Sequence, residues 1–225
     1  MMDIYFPVVK AELVLALVEA AAVLASAIAG MLVASHKRMD LVGAYALACV
    51  NAFGGGTVRD LLLDNRPFYW MQHPAYFIAI FVICVPFVYN ARMYRVATEV
   101  HRRSVKVDAM GLALFTVAGV GIALAREVPL VVALLMGVVT GTAGGVLRDV
   151  VVNELPDLFR PGGLYATASL LGGAAFIAAL EQDLTYGYAT AIGIATVVLL
   201  RLLSVRLGVT IPAPQWMADT EREAR

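Results

Sequence analysis

Two similar stretches of sequence decide the fold of this chain: NAFGGGTVRD at residues 51–60 and TGTAGGVLRD at residues 140–149. An offset of 89 residues, 140 minus 51, superposes them so that two glycines and the final Arg-Asp coincide. The same offset sets Glu19 against Asp108 and, without any gap, aligns three further pairs of identical residues: Leu41 with Leu130, Pro67 with Pro156 and Tyr76 with Tyr165. So many matches in one register indicate an internal duplication.

The composition around these stretches is that of a membrane protein. Hydrophobic residues make up 61% of the 225 residues and charged residues 15%, whereas soluble domains are about 45–50% apolar and about 25% charged. The net charge of zero argues against nucleic acid as a main partner, since phosphate binding needs a basic face. Seven apolar runs have about the length that crosses a bilayer. They lie at 13–33, 41–63, 74–91, 109–125, 130–152, 164–180 and 186–205.

The sequence therefore predicts an all-α polytopic membrane protein with seven transmembrane helices. Because each copy of the duplication contains three spans, an odd number, the second copy enters the membrane from the opposite side. The predicted organisation is two inverted three-helix repeats, 1–91 and 109–180, a basic loop at 92–108, and a seventh helix with a tail at 181–225. Inverted repeats commonly enclose a site near the bilayer midplane, built from interrupted helices.

The glycine clusters are the candidates for these interruptions. Adjacent glycines weaken a helix by roughly 1 kcal/mol each and permit a bend or local unwinding. The alternative is that they only allow two helices to pack closely. The glycines concerned are Gly54, Gly55, Gly56, Gly144 and Gly145.

Charged residues inside the spans predict two polar layers, because charge is costly in hydrocarbon and normally marks a pathway or an ion pair. Adjacent residues do not face one another on a helix, so each Arg-Asp dipeptide is expected to find its partners elsewhere. A rise of 1.5 Å per residue places Arg59 and Arg148 about 10 Å from the membrane centre, in opposite leaflets. Glu19 shares the leaflet of Arg59, and Asp108 that of Arg148. We predict the ion pairs Glu19–Arg59 and Asp108–Arg148.

Uncharged oxygens precede both glycine clusters, on Asn51, Thr140 and Thr142. Such groups can line a polar path for a cation that loses its hydration shell. The alternative is that they form hydrogen bonds between helices.

The distribution of Lys and Arg along the sequence predicts the orientation of the chain in the membrane. Four lie on one side of the membrane and thirteen on the other, which recovers the total of 17. Since cytoplasmic loops carry the excess of positive charge, the N-terminus is expected outside and the C-terminus in the cytoplasm. The basic loop at 92–108 is a candidate contact for anionic lipid headgroups.

The motifs GGGTVRDLLL at 54–63, followed by Pro67-Phe68, and GGVLRD at 144–149 resemble those of the prokaryotic TRIC family of trimeric intracellular cation channels. The resemblance implies a homotrimer in the inner membrane, with a separate pore in each subunit between kinked second and fifth helices. It implies passive conduction of monovalent cations, chiefly potassium, and no cofactor besides the permeant ion. Carried over by position, the kink residues are the five glycines, and the gate residues are Arg59, Asp60, Arg148 and Asp149.

Other functions remain open at this point. Bacterial proteins that look like this are also classed as glycine transporters, and inverted repeats are common in transporters. A purely structural membrane protein is disfavoured by the two polar layers. An enzyme is disfavoured because neither a nucleophile–base pair nor a metal cluster emerges. His36, His73 and His101 fall in separate loops, and Cys49 and Cys84 lie in apolar stretches without metal-site spacing.

Overall fold

The structure is a computed structural model that describes residues 2–90, 104–160 and 164–209. Side chains are described from residue 12 onward in the first range and from residue 107 onward in the second. Within these ranges the chain is all-helical and forms eight helices. Their bounds are α1 Met2–His36, α2 Leu41–Leu62, α3 Tyr69–Gln72, α4 Ala75–Tyr89, α5 Ser104–Ala125, α6 Leu130–Val151, α7 Ala166–Glu181 and α8 Tyr186–Leu207. Most of the predicted basic loop at 92–108 lies outside the described residues, and its last five residues belong to α5 instead.

Each predicted apolar run forms a helix, but the helices differ in length. Five described helices are long and apolar enough to cross a membrane, namely α1, α2, α5, α6 and α8. The apolar helices α4 and α7 are shorter, with 15 and 16 residues. At 1.5 Å per residue they are about 22–24 Å long, against about 30 Å of hydrocarbon. The four-residue helix α3, which was not predicted, lies between α2 and α4.

The turns repeat their backbone conformation at the offset of 89 residues. Among the described residues, five turns that follow helices place a residue other than glycine at positive φ. Four of these residues form two pairs, Arg38 with Glu127 and Asp64 with Asn153, and the fifth is Asp183 after α7. The α8 helix, which has no counterpart in the repeat, ends instead at Gly208 with φ 62°, as helices commonly do. The offset found in the sequence motifs thus also relates the conformations of these turns.

The packing places α2 and α6 against each other. The α1 helix packs on α2 and α5, α5 on α6 and α8, and α7 on α8. The buried side chains between these helices are mostly apolar, while large apolar side chains also cover the outer surface. Val42, Ile78, Val131 and Leu199 are each more than half exposed. An apolar exterior around a packed helical core suits a protein surrounded by lipid.

Candidate functional site

The α2 and α6 helices meet backbone to backbone at their glycine clusters. A Cβ atom on Gly55 would overlap the carbonyl oxygen of Thr140, and one on Gly144 would lie 2.5 Å from the carbonyl oxygen of Asn51. Neither position has room for any side chain. The two contacts are reciprocal, because Thr140 and Gly144 stand 89 residues after Asn51 and Gly55. The same contact is thus made twice, once in each direction, by positions that correspond at this offset.

The predicted interruption of these helices is wrong, since α2 and α6 each continue through their glycines as unbroken helix. Close packing explains this: the neighbouring helix occupies the space that the missing side chains leave. A Cβ on Gly54 would meet the side chain of Leu147 at 2.8 Å. Around Gly56 and Gly145 the nearest groups are the ends of polar side chains. The assignment of the five glycines to a kinked pore stays a prediction.

The first charge cluster comprises Glu19, Arg59 and Asp60. Arg59 is 1% exposed, and its Nη1 lies 3.3 Å from Oε1 of Glu19, while its Nε donates to Oδ1 of Asp60 at 2.8 Å. The Asp60 carboxylate also accepts hydrogen bonds from the Asn65 side chain and from the backbone N–H of Tyr69, both at 3.1 Å. The loop after α2 thereby holds this carboxylate in place.

The second charge cluster comprises Asp108, Arg148 and Asp149. Nη1 of Arg148 lies 3.1 Å from Oδ1 of Asp108, and its Nε donates to Oδ1 of Asp149 at 2.8 Å. The backbone N–H of Asp157 donates to Oδ2 of Asp149 at 3.3 Å. Oδ2 of Asp108 is buried and has no hydrogen-bond partner among the described residues.

Both predicted ion pairs are therefore present, but the premise that the adjacent Arg and Asp of each dipeptide do not contact one another is wrong. In each dipeptide the arginine pairs with the aspartate next to it as well as with the distant acid. The helical rule concerns the directions of the Cβ atoms, and the long arginine stem curls back far enough to reach its neighbour. Burial favours this contact, because an unpaired charge in the core is costly.

The uncharged residues predicted to line a polar path, Asn51, Thr140 and Thr142, form hydrogen bonds within the helical core. The Asn51 side chain donates to the carbonyl oxygen of Ser26 on α1 at 2.6 Å, so it joins two helices. Thr140 and Thr142 donate to carbonyl oxygens of their own helix at 2.6 and 2.8 Å. All three side chains are buried. The interhelical alternative is thus observed for Asn51.

Two small cavities adjoin the charge clusters, each with room for about one water molecule. The first cavity is lined by Glu19, Val23, Ala52, Phe53, Gly56, Arg59, Tyr69, Trp70 and Phe115. The second cavity is lined by Ser26, Ala29, Asn51, Asp108, Leu112, Phe115, Gly141, Gly144, Gly145 and Tyr165. Among the described residues, no group of His, Cys, Asp and Glu is suited to holding a metal ion.

Arg201 is a buried charge that the sequence motifs do not reveal. Its place near the end of the seventh apolar run suggests a cytoplasmic loop charge, yet α8 holds it in the core at 5% exposure. Its guanidinium carbon lies 4.7 Å from the centroid of the Tyr165 ring. Nε of Arg201 has no hydrogen-bond partner among the described residues. Its position inside the predicted apolar run at 186–205, and not after it, is the sequence signal that could have identified it.

The loops are joined by another reciprocal pair of contacts. Nζ of Lys37 lies 2.6 Å from Oε1 of Glu154, and the Arg126 side chain donates to Oδ1 of Asn65. Arg126 and Glu154 stand 89 residues after Lys37 and Asn65. The hydrogen bond and the charge of Lys37 lower the pKa of Glu154. Burial, together with the charges of Asp108 and Asp149, raises the pKa of Asp157 in the same loop.

An apolar exterior, helices long enough to span a bilayer and buried charge clusters define an α-helical membrane protein. The family model described as "Glycine transporter" matches residues 16–92 and 105–181, two stretches that are again offset by 89. The UPF0126 inner membrane protein YadS of Escherichia coli K12 is 35% identical over 83% of this chain and 89% of its own length.

Solved structures agree with this match. The TRIC trimeric intracellular cation channel orthologue from Rhodobacter sphaeroides is 36% identical, covers 87% of this chain and 99% of its own, and superposes with a TM-score of 0.80. A prokaryotic TRIC channel crystallised in 0.5 M KCl is 26% identical over 87% of this chain and 98% of its own, with a TM-score of 0.79. The chain belongs to the TRIC family, as its motifs predict.

Proposed function

We propose that this protein is a passive channel for monovalent cations, chiefly potassium, in the inner membrane. The observation that carries the proposal is the charge of the two clusters beside the α2–α6 contact. Each contains two carboxylates and one guanidinium, so each has a formal charge of −1. Negative clusters attract cations and repel anions. The similarity to solved TRIC cation channels supports the same function.

The proposed path runs through each subunit between α2 and α6. Gly56 and Arg59 line the first cavity, whereas Gly144 and Gly145 line the second, so the two cavities flank the glycine contact. Arg59, Asp60, Arg148 and Asp149 are the proposed gate residues, with Glu19 and Asp108 as their supporting charges. Asn51, Thr140 and Thr142 are proposed to line the path, and the five glycines to permit its bend. Potassium is the permeant species, and no other cofactor is invoked.

The proposed topology is seven spans in two inverted repeats followed by a seventh helix. The reciprocal contacts of Gly55 with Thr140 and of Gly144 with Asn51 support the inversion. The excess of Lys and Arg on one side supports an N-terminus outside and a C-terminus in the cytoplasm. The homotrimer is proposed from the relative in Rhodobacter sphaeroides, which is described as trimeric. The contact of the basic loop with anionic lipid is a further proposal.

The test is potassium flux from liposomes, together with single-channel recording in planar bilayers. Unitary potassium currents in the wild type are expected, and Arg148→Ala and Gly55→Leu should alter them. Gly187→Ala is the matched control, because nothing lies within 4 Å of a Cβ at that position. A well-folded protein that gives neither flux nor unitary current would overturn the proposal.

A glycine transporter is the second candidate, favoured by the description of the matching family model. The carboxylates could bind the ammonium group of glycine, and Arg59 or Arg148 its carboxylate. Saturable uptake of labelled glycine without unitary current would identify a transporter. Under that result the two charge clusters become the candidate substrate site.

A further inference from the structure

Three residues spaced by four form a stripe along one face of α5, namely Gly111, Phe115 and Gly119. The two glycines bring α5 very close to its neighbours. A Cβ on Gly111 would lie 2.7 Å from Oγ of Ser26 on α1, and one on Gly119 would lie 2.5 Å from Oγ1 of Thr140 on α6. The large Phe115 side chain is therefore held between two tight helix contacts.

Phe115 is the residue common to the linings of both cavities. The first cavity contains Glu19 and Arg59, and the second contains Asp108 and Asn51. The Phe115 side chain is 6% exposed and belongs to a buried apolar cluster. An aromatic ring thus lies at the boundary between two polar spaces.

The first half of the chain has no aromatic residue at the corresponding place. Subtracting 89 from the three stripe positions gives Ala22, Ser26 and Gly30 on α1, all of them small. The equivalent face of α1 packs within the same core without a ring. The repeated scaffold therefore does not itself require an aromatic residue at position 115.

We propose that Phe115 is the hydrophobic constriction that closes the path between the two cavities. This inference rests on the proposed channel function. A cation crossing from one cavity to the other must pass the ring, which offers no oxygen to replace the hydration shell. An apolar constriction of this kind blocks ions by excluding water.

The experiment compares the wild type with Phe115→Ser and Phe115→Leu. Serine is chosen because Ser26 occupies the equivalent position on α1. Potassium flux from liposomes and the open probability in planar bilayers are measured in the full-length protein. A several-fold rise in both is expected for Phe115→Ser, and a smaller rise for Phe115→Leu. The matched controls are Phe176→Ser and Phe176→Leu, because Phe176 is fully buried but lines neither cavity.

The possible outcomes distinguish a failure of the proposed constriction from a failure of the proposed channel function. A conducting wild type whose flux is unchanged in folded Phe115→Ser or Phe115→Leu overturns the constriction and leaves the channel function standing. An equal rise in the Phe176 variants also overturns it, since loosened packing would then explain the effect. If neither the wild type nor any Phe115 variant conducts, both proposals fail. If the serine variants do not elute as folded protein in size-exclusion chromatography, the comparison of Phe115→Leu with Phe176→Leu tests the constriction.

Discussion

Gly55 on α2 lies so close to the carbonyl oxygen of Thr140 on α6 that no Cβ atom could occupy the space between them. The reciprocal contact joins Gly144 to the carbonyl oxygen of Asn51. Both helices are unbroken here, so these glycines serve the close approach of two backbones. The distance between α2 and α6, and with it the geometry of any path between them, depends on the absence of two side chains.

Replacing Gly55 by alanine is expected to destabilise the protein. The new methyl group must push two backbones apart, and overpacking of this kind costs about 1–3 kcal/mol. Gly144→Ala should behave in the same way. Thermal unfolding of the purified protein in detergent measures the loss.

Gly187→Ala is the control for these two substitutions. It adds the same methyl group to a helix, but with nothing within 4 Å of it, so no loss is expected. If Gly55→Ala were as stable as Gly187→Ala, the backbone contact would not be the reason for glycine at position 55.

In the first charge cluster, Asp60→Asn should destabilise more than Glu19→Gln. Asp60 accepts hydrogen bonds from Arg59, Asn65 and the backbone of Tyr69, whereas Glu19 meets Arg59 through one contact at 3.3 Å. Each substitution leaves Arg59 paired with one carboxylate, so both losses should stay below the roughly 3–5 kcal/mol that a buried charge without any partner costs. Chemical or thermal unfolding of both variants gives the order, and equal losses would contradict it.

The ion pairs were predictable from sequence because helix arithmetic gives depth in a membrane, and depth limits the possible partners of a charge. Glu19 and Arg59 follow from this reasoning, and the offset of 89 then supplies Asp108 and Arg148. The continuity of α2 and α6 was not predictable, because glycine propensity describes an isolated helix and tertiary packing overrides it. Phe115 and Arg201 belong to no motif. Their roles depend on how α5 and α8 pack against other helices, and the hydropathy of a sequence does not determine that packing.

Arg201→Met is expected to preserve stability, in contrast to Arg59→Met. Among the described residues, Arg201 forms no ion pair and its Nε lacks a hydrogen-bond partner, although its guanidinium lies over the Tyr165 ring. An apolar residue of similar size avoids the desolvation penalty, whereas removing Arg59 leaves two buried carboxylates without their cation. Unfolding midpoints of the two variants test the contrast, and a loss in Arg201→Met as large as that in Arg59→Met would contradict it.

The contribution of the Lys37–Glu154 pair to stability should disappear at acid pH. Lys37 lowers the pKa of Glu154 below its ordinary value of 4.5, so the folded state favours the ionised carboxylate. The stabilisation is therefore fully present above pH 4.5 and is lost as the pH falls through the lowered folded value. Because both groups are partly exposed, it should be less than about 1 kcal/mol. Unfolding of the wild type and Glu154→Gln across pH measures it. The effect of Glu154→Gln should shrink in a Lys37→Met background but not vanish, because Arg160 also lies 3.4 Å from the Glu154 carboxylate. A difference that persists undiminished at the lowest pH would show that Glu154 acts through something other than its charge.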